Sequence, residues 1–237
     1  MKFFYPLGDD SEKDPLLNEL PDQYKFAASL FFPFVKMPDG WKSEESYGHH
    51  AYYPIREDIF KYGKPIVWED LRKKCGFSSM AEMSIAATAL LTGCMGRELY
   101  RRPDLMNRLE NVLEEDVYTP FEDSISILLI DALIKVLVSK GAKRLRYHTL
   151  YDEQGICEIE EIDLEAKLTL CSDPITITDE NEDFVLSCFF DEWAVKFFAK
   201  EDATNVLAEN GLEGIIFTDK TPIVWENHPY HVIKNTT

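Results

Sequence analysis

The residues best equipped for chemistry in this chain are carboxylates in close sequence clusters. In Asp179-Glu180-Asn181-Glu182-Asp183, the residues Asp179, Asn181 and Asp183 take the first three alternating positions of a calcium loop. The rest of that pattern fails, because Phe184 stands where the sharp-turn glycine is required and Phe190 where the bidentate glutamate is required. The run therefore reads as a solvated loop entering a strand. His228 and His231 could offer zinc two imidazoles, but no nearby cysteine or carboxylate has a spacing that completes the set. They read as part of an exposed C-terminal tail. His49-His50 point to opposite sides of an extended chain and make a poor single site. No metal and no cofactor is assigned.

Glu158 and Glu160 share one strand face, which could support acid–base work, although alternating glutamate is the ordinary dress of an exposed strand. Cys94, near a helix end and close to Arg97, is the thiol whose surroundings could lower its pKa. Its setting, Gly93-Cys94-Met95-Gly96, otherwise reads as a helix terminus. There is no G-x-S-x-G, no phosphate-cradling loop, no G-x-G-x-x-G and no H-E-x-x-H. The sequence leans away from an enzyme.

The elements that must position these residues follow from periodicity. Prolines at 6, 15, 21, 33, 38, 54 and 65 divide an aromatic-rich first stretch into short pieces, with a helix expected over Gln23–Phe32. Helices are expected at 68–75, ending at Gly76, at 80–91 behind a Ser79/Glu82 capping box, and after Pro103. The first two, joined by a short turn, have a helix–turn–helix look. The second carries Glu82 and no Arg or Lys, which fits helix packing better than reading bases. Thr119-Pro120-Phe121-Glu122 predicts the start of a long, buried, central helix over about 120–140. Beyond Gly141 the period becomes two. Strands are expected at 144–150, 156–160, 167–171, 175–178, 184–190, 193–198 and 214–218, with a hairpin turn at Asp191-Glu192. The fold class is α+β: a helical N-terminal part packed with a mainly antiparallel sheet in the C-terminal part. The expected division is 1–118, an aromatic and proline-rich arm with helices, and 119–237, a sheet domain, with one continuous body as the alternative.

The chain's 237 residues include 25 basic and 43 acidic side chains, a net charge of −18. Its 45% hydrophobic content is that of a folded protein. The acidity is concentrated: residues 150–213 hold 3 basic and 18 acidic side chains. Such a field repels nucleic acid and anionic membrane surfaces. The most apolar stretch, Ile125 to Val138, is interrupted by Asp131 and Lys135 and is too short to span a bilayer. The first residues do not form a signal peptide. Five widely spaced cysteines without a CxxC pair fit a reducing cytoplasm.

Phe34-Val35-Lys36-Met37-Pro38-Asp39-Gly40-Trp41, Gly63-Lys64-Pro65-Ile66-Val67-Trp68, Ser139-Lys140-Gly141-Ala142-Lys143 and Thr178-Asp179-Glu180-Asn181 are spread over most of the chain. Together they resemble a YwbB-like family of uncharacterised proteins from Bacillus-type bacteria. The resemblance implies a cytoplasmic bacterial protein of unknown function and supplies no catalytic residues.

The leading expectation is a non-catalytic binding protein, of a regulatory or toxin-neutralising kind, that uses an acidic surface against a basic protein. Its expected contact residues are Asp179, Glu180, Glu182, Asp183, Asp191 and Glu192. The alternative is an enzyme or small-ligand binder with a pocket between the helical part and the sheet. That pocket would be lined by Trp41, Tyr52, Trp68, His148 and Trp193, with Arg144 or Arg146 as further polar groups. A homodimer joined through a sheet edge is the third option.

Overall fold

The computed structural model describes residues 2–6, 13–42 and 53–233. The chain divides into two units, one formed by Met1–Phe32 with Phe121–Thr237 and the other by Pro33–Pro120. In chain order the first unit begins with β1 (Phe26–Phe31). The inserted unit then contributes β2 (Phe34–Lys36), α1 (Arg56–Tyr62), β3 (Lys64–Ile66), α2 (Trp68–Cys75), α3 (Met80–Leu91), α4 (Pro103–Glu110) and β4 (Val117–Tyr118). The chain returns to the first unit with α5 (Ile130–Leu137), β5 (Arg144–Thr149), β6 (Gln154–Glu158), α6 (Leu164–Leu170), β7 (Ile175–Asp179) and β8 (Phe184–Ser187). It finishes with β9 (Ala194–Ala199), α7 (Thr204–Glu209), β10 (Gly214–Phe217) and β11 (Tyr230–Val232). The fold class is α+β, and every strand pairing is antiparallel.

The large sheet has the order β11-β10-β1-β9-β8-β7-β5-β6. Strand β1 therefore lies inside it, between β9 and β10, and all six of its residues are buried. This corrects the helix expected over Gln23–Phe32. A strand covered on both faces has no polar/apolar alternation to reveal it. It also changes the expected layout: α1–α4 do fall within 33–120, but the segment before them is part of the sheet.

The helix expected over about 120–140 is shorter, α5 being confined to Ile130–Leu137. The capping signal at Thr119–Glu122 is overridden by Asp123. Its backbone is left-handed (φ 70°), and its carboxylate accepts the amide of Asp191 at 2.7 Å. Helix α5 buries Ile130, Leu133, Val136 and Leu137 along one stripe. Each such side chain is worth about 2 kcal/mol of burial. Lys167 of α6 reaches Asp131 at 2.8 Å, and just past α5 the Lys140 ammonium sits 5.2 Å from the Phe184 ring centre in β8.

The expected strand at 167–171 is helix α6. Asp163 caps it by accepting from the Ala166 amide at 2.9 Å. The expected C-terminal tail instead holds β11, antiparallel to β10, and Trp225 is buried with its ring stacked on Phe31.

In the inserted unit, β2 lies between β3 and β4. The cap of α3 forms at Ser79, which accepts from the Glu82 amide at 3.2 Å, while the return bond falls one residue earlier than in the capping box, Glu82 accepting from the Ser78 amide at 2.6 Å. Gly76 ends α2 with the left-handed φ of 64° that the turn demands. The Arg108 guanidinium of α4 then bonds the Cys75 carbonyl at 2.7 Å and covers the Phe77 ring. Among the described residues no helix is long and apolar enough to cross a membrane.

Candidate functional site

Three groupings in the sheet-containing unit bring chemistry-bearing residues together. The first is a polar row running across the sheet. Antiparallel register aligns Gln154, His148, Thr176, Ser187, Lys196 and Ser29 on successive strands β6, β5, β7, β8, β9 and β1. Aligned residues share a face. Lys196 is only 4% exposed, and its ammonium meets Glu192 at 2.7 Å and Ser29 at 3.4 Å. The chain itself occupies this row. The Phe4 amide donates to Thr176 Oγ1 at 2.8 Å, the Thr176 and Ser187 hydroxyls donate to the Phe4 carbonyl, and the Tyr5 hydroxyl donates to Glu192. The Tyr5 ring stacks on Phe189 and the Phe4 ring meets Phe198 edge-on. Burial, and then the negative charge of Glu192, push the Tyr5 phenol well above its ordinary pKa, and the same two causes push up the buried Cys188 thiol. Lysine, glutamate and tyrosine here satisfy one another, so the row works as a fastening for residues 4–5.

The second grouping joins Glu122, Asp123 and Asp191, whose carboxylate oxygens lie within 4.8 Å of one another. Glu122 is itself exposed, and partial desolvation, followed by the like charges of Asp123 and Asp191, raises its pKa. The turn conformation of Asp191 (φ 59°) and its amide bond to Asp123 hold the three together. Oxygen donors of this kind suit a hard cation, and the sequence reading missed the set because Asp191 is remote in the chain.

The third grouping is the free edge at β6. This strand pairs with β5 alone. Thr149 N bonds Glu153 O at 2.7 Å and Ile159 N bonds Lys143 O at 2.9 Å. The backbone groups of Glu153, Gly155, Cys157 and Ile159 thus turn toward β5, and by alternation those of Gln154, Ile156 and Glu158 turn outward. No described residue hydrogen-bonds to these outward groups except at the Glu158 carbonyl, which opens the 3-10 turn Ile159–Glu161. All three residues are exposed, and Ile156 is 63% so. Between 152 and 165 lie Asp152, Glu153, Glu158, Glu160, Glu161, Asp163 and Glu165, every one exposed, with no Lys or Arg among them.

The expected contact residues hold several different posts. Asp179 is 1% exposed and its carboxylate accepts from the Asn181 and Phe184 amides at 2.8 and 2.7 Å, which staples the β7–β8 turn. Glu182 occupies that turn with φ 54°. Glu180 accepts from the Lys143 amide at 2.9 Å and from Arg144 at 3.0 Å, and these two partners lower its pKa. Asp183 pairs with Lys200 at 3.1 Å. Asp191 belongs to the carboxylate trio and Glu192 to the Lys196 row. The calcium-loop residues Asp179 and Asp183 are thus engaged with backbone and lysine.

Of the aromatic set, Trp41 meets Tyr118 and the buried Trp68 meets Phe34, both within the inserted unit. His148 lies in β5 with Nδ1 3.0 Å from the Thr149 carbonyl, and Trp193 precedes β9 with its indole nitrogen buried. Tyr52 and the His49-His50 pair lie outside the described residues. Cys94 packs its sulfur 3.5 Å from that of Met106. His231 is exposed on β11.

No solved structure matches this chain. An uncharacterized protein, YwbB of Bacillus subtilis (strain 168), is 33% identical over 217 residues, covering 90% of this chain and 96% of that one. Residues 12–227 match the family described as "Protein of unknown function (DUF2711)". With that match spanning most of both units, the chain belongs to the DUF2711 family.

Proposed function

We propose that this protein is a non-catalytic binding protein that engages a basic protein partner through the acidic margin of its large sheet. The observation that carries the reading is the stretch 152–165, in which every acidic side chain is exposed and no basic residue intervenes. This is a different part of the acidic region from the turns at 179–183 and 191–192, where most of the carboxylates already have partners. Five free thiols accord with a cytoplasmic setting.

The reading is tested with a lysine-rich peptide and two variants of equal net charge. One reverses Glu153, Glu158, Glu160 and Glu161 to lysine; the other reverses the exposed Glu98, Glu110, Glu115 and Glu209. Affinity is expected to fall about tenfold or more in the first variant and much less in the second. In the parent it should weaken steeply as salt shortens the Debye length from about 30 Å at 0.01 M to about 3 Å at 1 M. Equal losses in the two variants would reduce the effect to overall charge and overturn the reading.

A further inference from the structure

We infer that the partner binds by strand addition: a basic, extended segment pairs with β6 and becomes the next strand of the large sheet. This rests on the reading that the acidic margin binds a basic protein, and it specifies how.

The outward amides of Gln154, Ile156 and Glu158 and the outward carbonyls of Gln154 and Ile156 form a ladder without a described partner, which ends at Glu158, whose carbonyl opens the 3-10 turn Ile159–Glu161. An added strand would satisfy them with main-chain hydrogen bonds, as strand-adding domains do. Side-chain chemistry selects the occupant. Residues opposite one another on paired strands share a face, and the outward ladder is centred on exposed Ile156 with Glu158 at its end. An apolar residue opposite Ile156 and a lysine or arginine opposite Glu158 fit this face. Beyond the ladder, Asp152 and Glu153 flank one end and Glu160, Glu161, Asp163 and Glu165 the other, so the ends of the incoming segment meet negative charge. Exposed Tyr151 and Leu164 add apolar area at the two flanks. Two arginines of β5 share this face: exposed Arg146 stands opposite Ile156, which favours an apolar residue there over a basic one, and Arg144 is drawn to Glu180 at 3.0 Å and lies 3.9 Å from Glu158, which leaves Glu158 loosely held. A second copy of β6 laid antiparallel against the first would bring the two acidic stretches together, and their like charges oppose it.

Edge strands also carry charge simply to discourage aggregation, so the test must separate pairing from repulsion. The probe is a short, capped peptide with a central valine, lysine two residues to either side of it and threonine between, added to the isotope-labelled full chain. On binding, exchange of the Gln154, Ile156 and Glu158 amides should slow about tenfold or more, while the Gly155 and Cys157 amides, already directed at β5, change little. Ile156→Pro is the matching variant. Proline removes an outward N–H and leaves the β5 hydrogen bonds in place. It should abolish the new protection and weaken binding about tenfold, and retained protection at Gly155 and Cys157 certifies its fold.

Binding that is lost on charge reversal but untouched by Ile156→Pro, with no new protection, would overturn strand addition and leave the acidic-surface reading intact. Absence of binding to the parent would overturn both. Protection of the same amides that rises with protein concentration alone would identify a second copy as the occupant and overturn the proposal.

Discussion

Lys196 is the single residue on which most of the buried polar chemistry turns. It sits in a central strand, bonded to Glu192 and Ser29, and Glu192 in turn holds Tyr5. Removing one member of such a pair leaves the other charge poorly solvated, which costs about 3–5 kcal/mol when both are fully buried. Glu192 is about a quarter exposed, so the lower end applies. Lys196→Met is expected to cost roughly 3 kcal/mol, read as a shift of the urea midpoint. An unchanged midpoint would mean the pair contributes nothing net.

Glu122 gives a prediction of opposite sign. Its folded pKa is raised by partial desolvation and by the like charges of Asp123 and Asp191, so the native state favours the protonated acid. Native stability therefore falls as pH rises from the unfolded pKa through the folded one, and stays lowered above it. Glu122→Gln never ionises. It should be more stable than the parent at pH 7 and converge with it below the ordinary glutamate pKa of about 4.3. A variant less stable at pH 7 would contradict this. Little of this residue-scale chemistry was legible in sequence. Asp179 looked like a surface ligand and proves to be a turn staple, because solvent exposure depends on which strands cover a loop. The meeting of Glu122 with Asp191 depends on a hairpin far along the chain.

The most exacting element is the junction of β10 with β1. Gly214 pairs with Leu30, and a Cβ placed on it would stand 2.1 Å from the Ser29 carbonyl oxygen. That neighbour is backbone in a strand hydrogen-bonded on both sides, so it has little room to move. Gly214→Ala is expected to destabilise the protein by about 1–3 kcal/mol or more. The loss should be accompanied by faster amide exchange in β10 and β11 than in β5 and β6. Uniform acceleration, or none, would count against the close approach as the cause. At this scale, α2, α3 and α4 and the β8–β9 hairpin were readable, since caps, prolines and periodicity act locally. Strand β1 was not, because burial on both faces erases alternation. Helix α6 was not, because Leu-Thr-Leu has a strand's pattern and only the Asp163 cap turns it. For the free edge, the alternation of β6 was visible, but its terminal place in the strand order was not.

Across the whole molecule, the strand order separates the sheet's two kinds of periphery from its middle. One margin, at β6, carries the dense negative charge, whereas β11 at the other is short and bears the half-buried Tyr230. The acidic stretch 152–165 therefore lies at one margin of the large sheet, which composition alone could not reveal. The middle is closed by β1, a segment that precedes its partner β9 by the length of the inserted unit and several strands more. During synthesis, Phe26–Phe31 leaves the ribosome long before Ala194–Ala199 exists. At about 5–20 residues per second the wait is roughly 10–30 s. Through that interval an apolar strand has no native neighbour on either side. The nascent chain thus presents a transient binding sequence to whatever waits at the exit tunnel, and its biogenesis depends on that strand being kept from the wrong company until the last third of the protein is made.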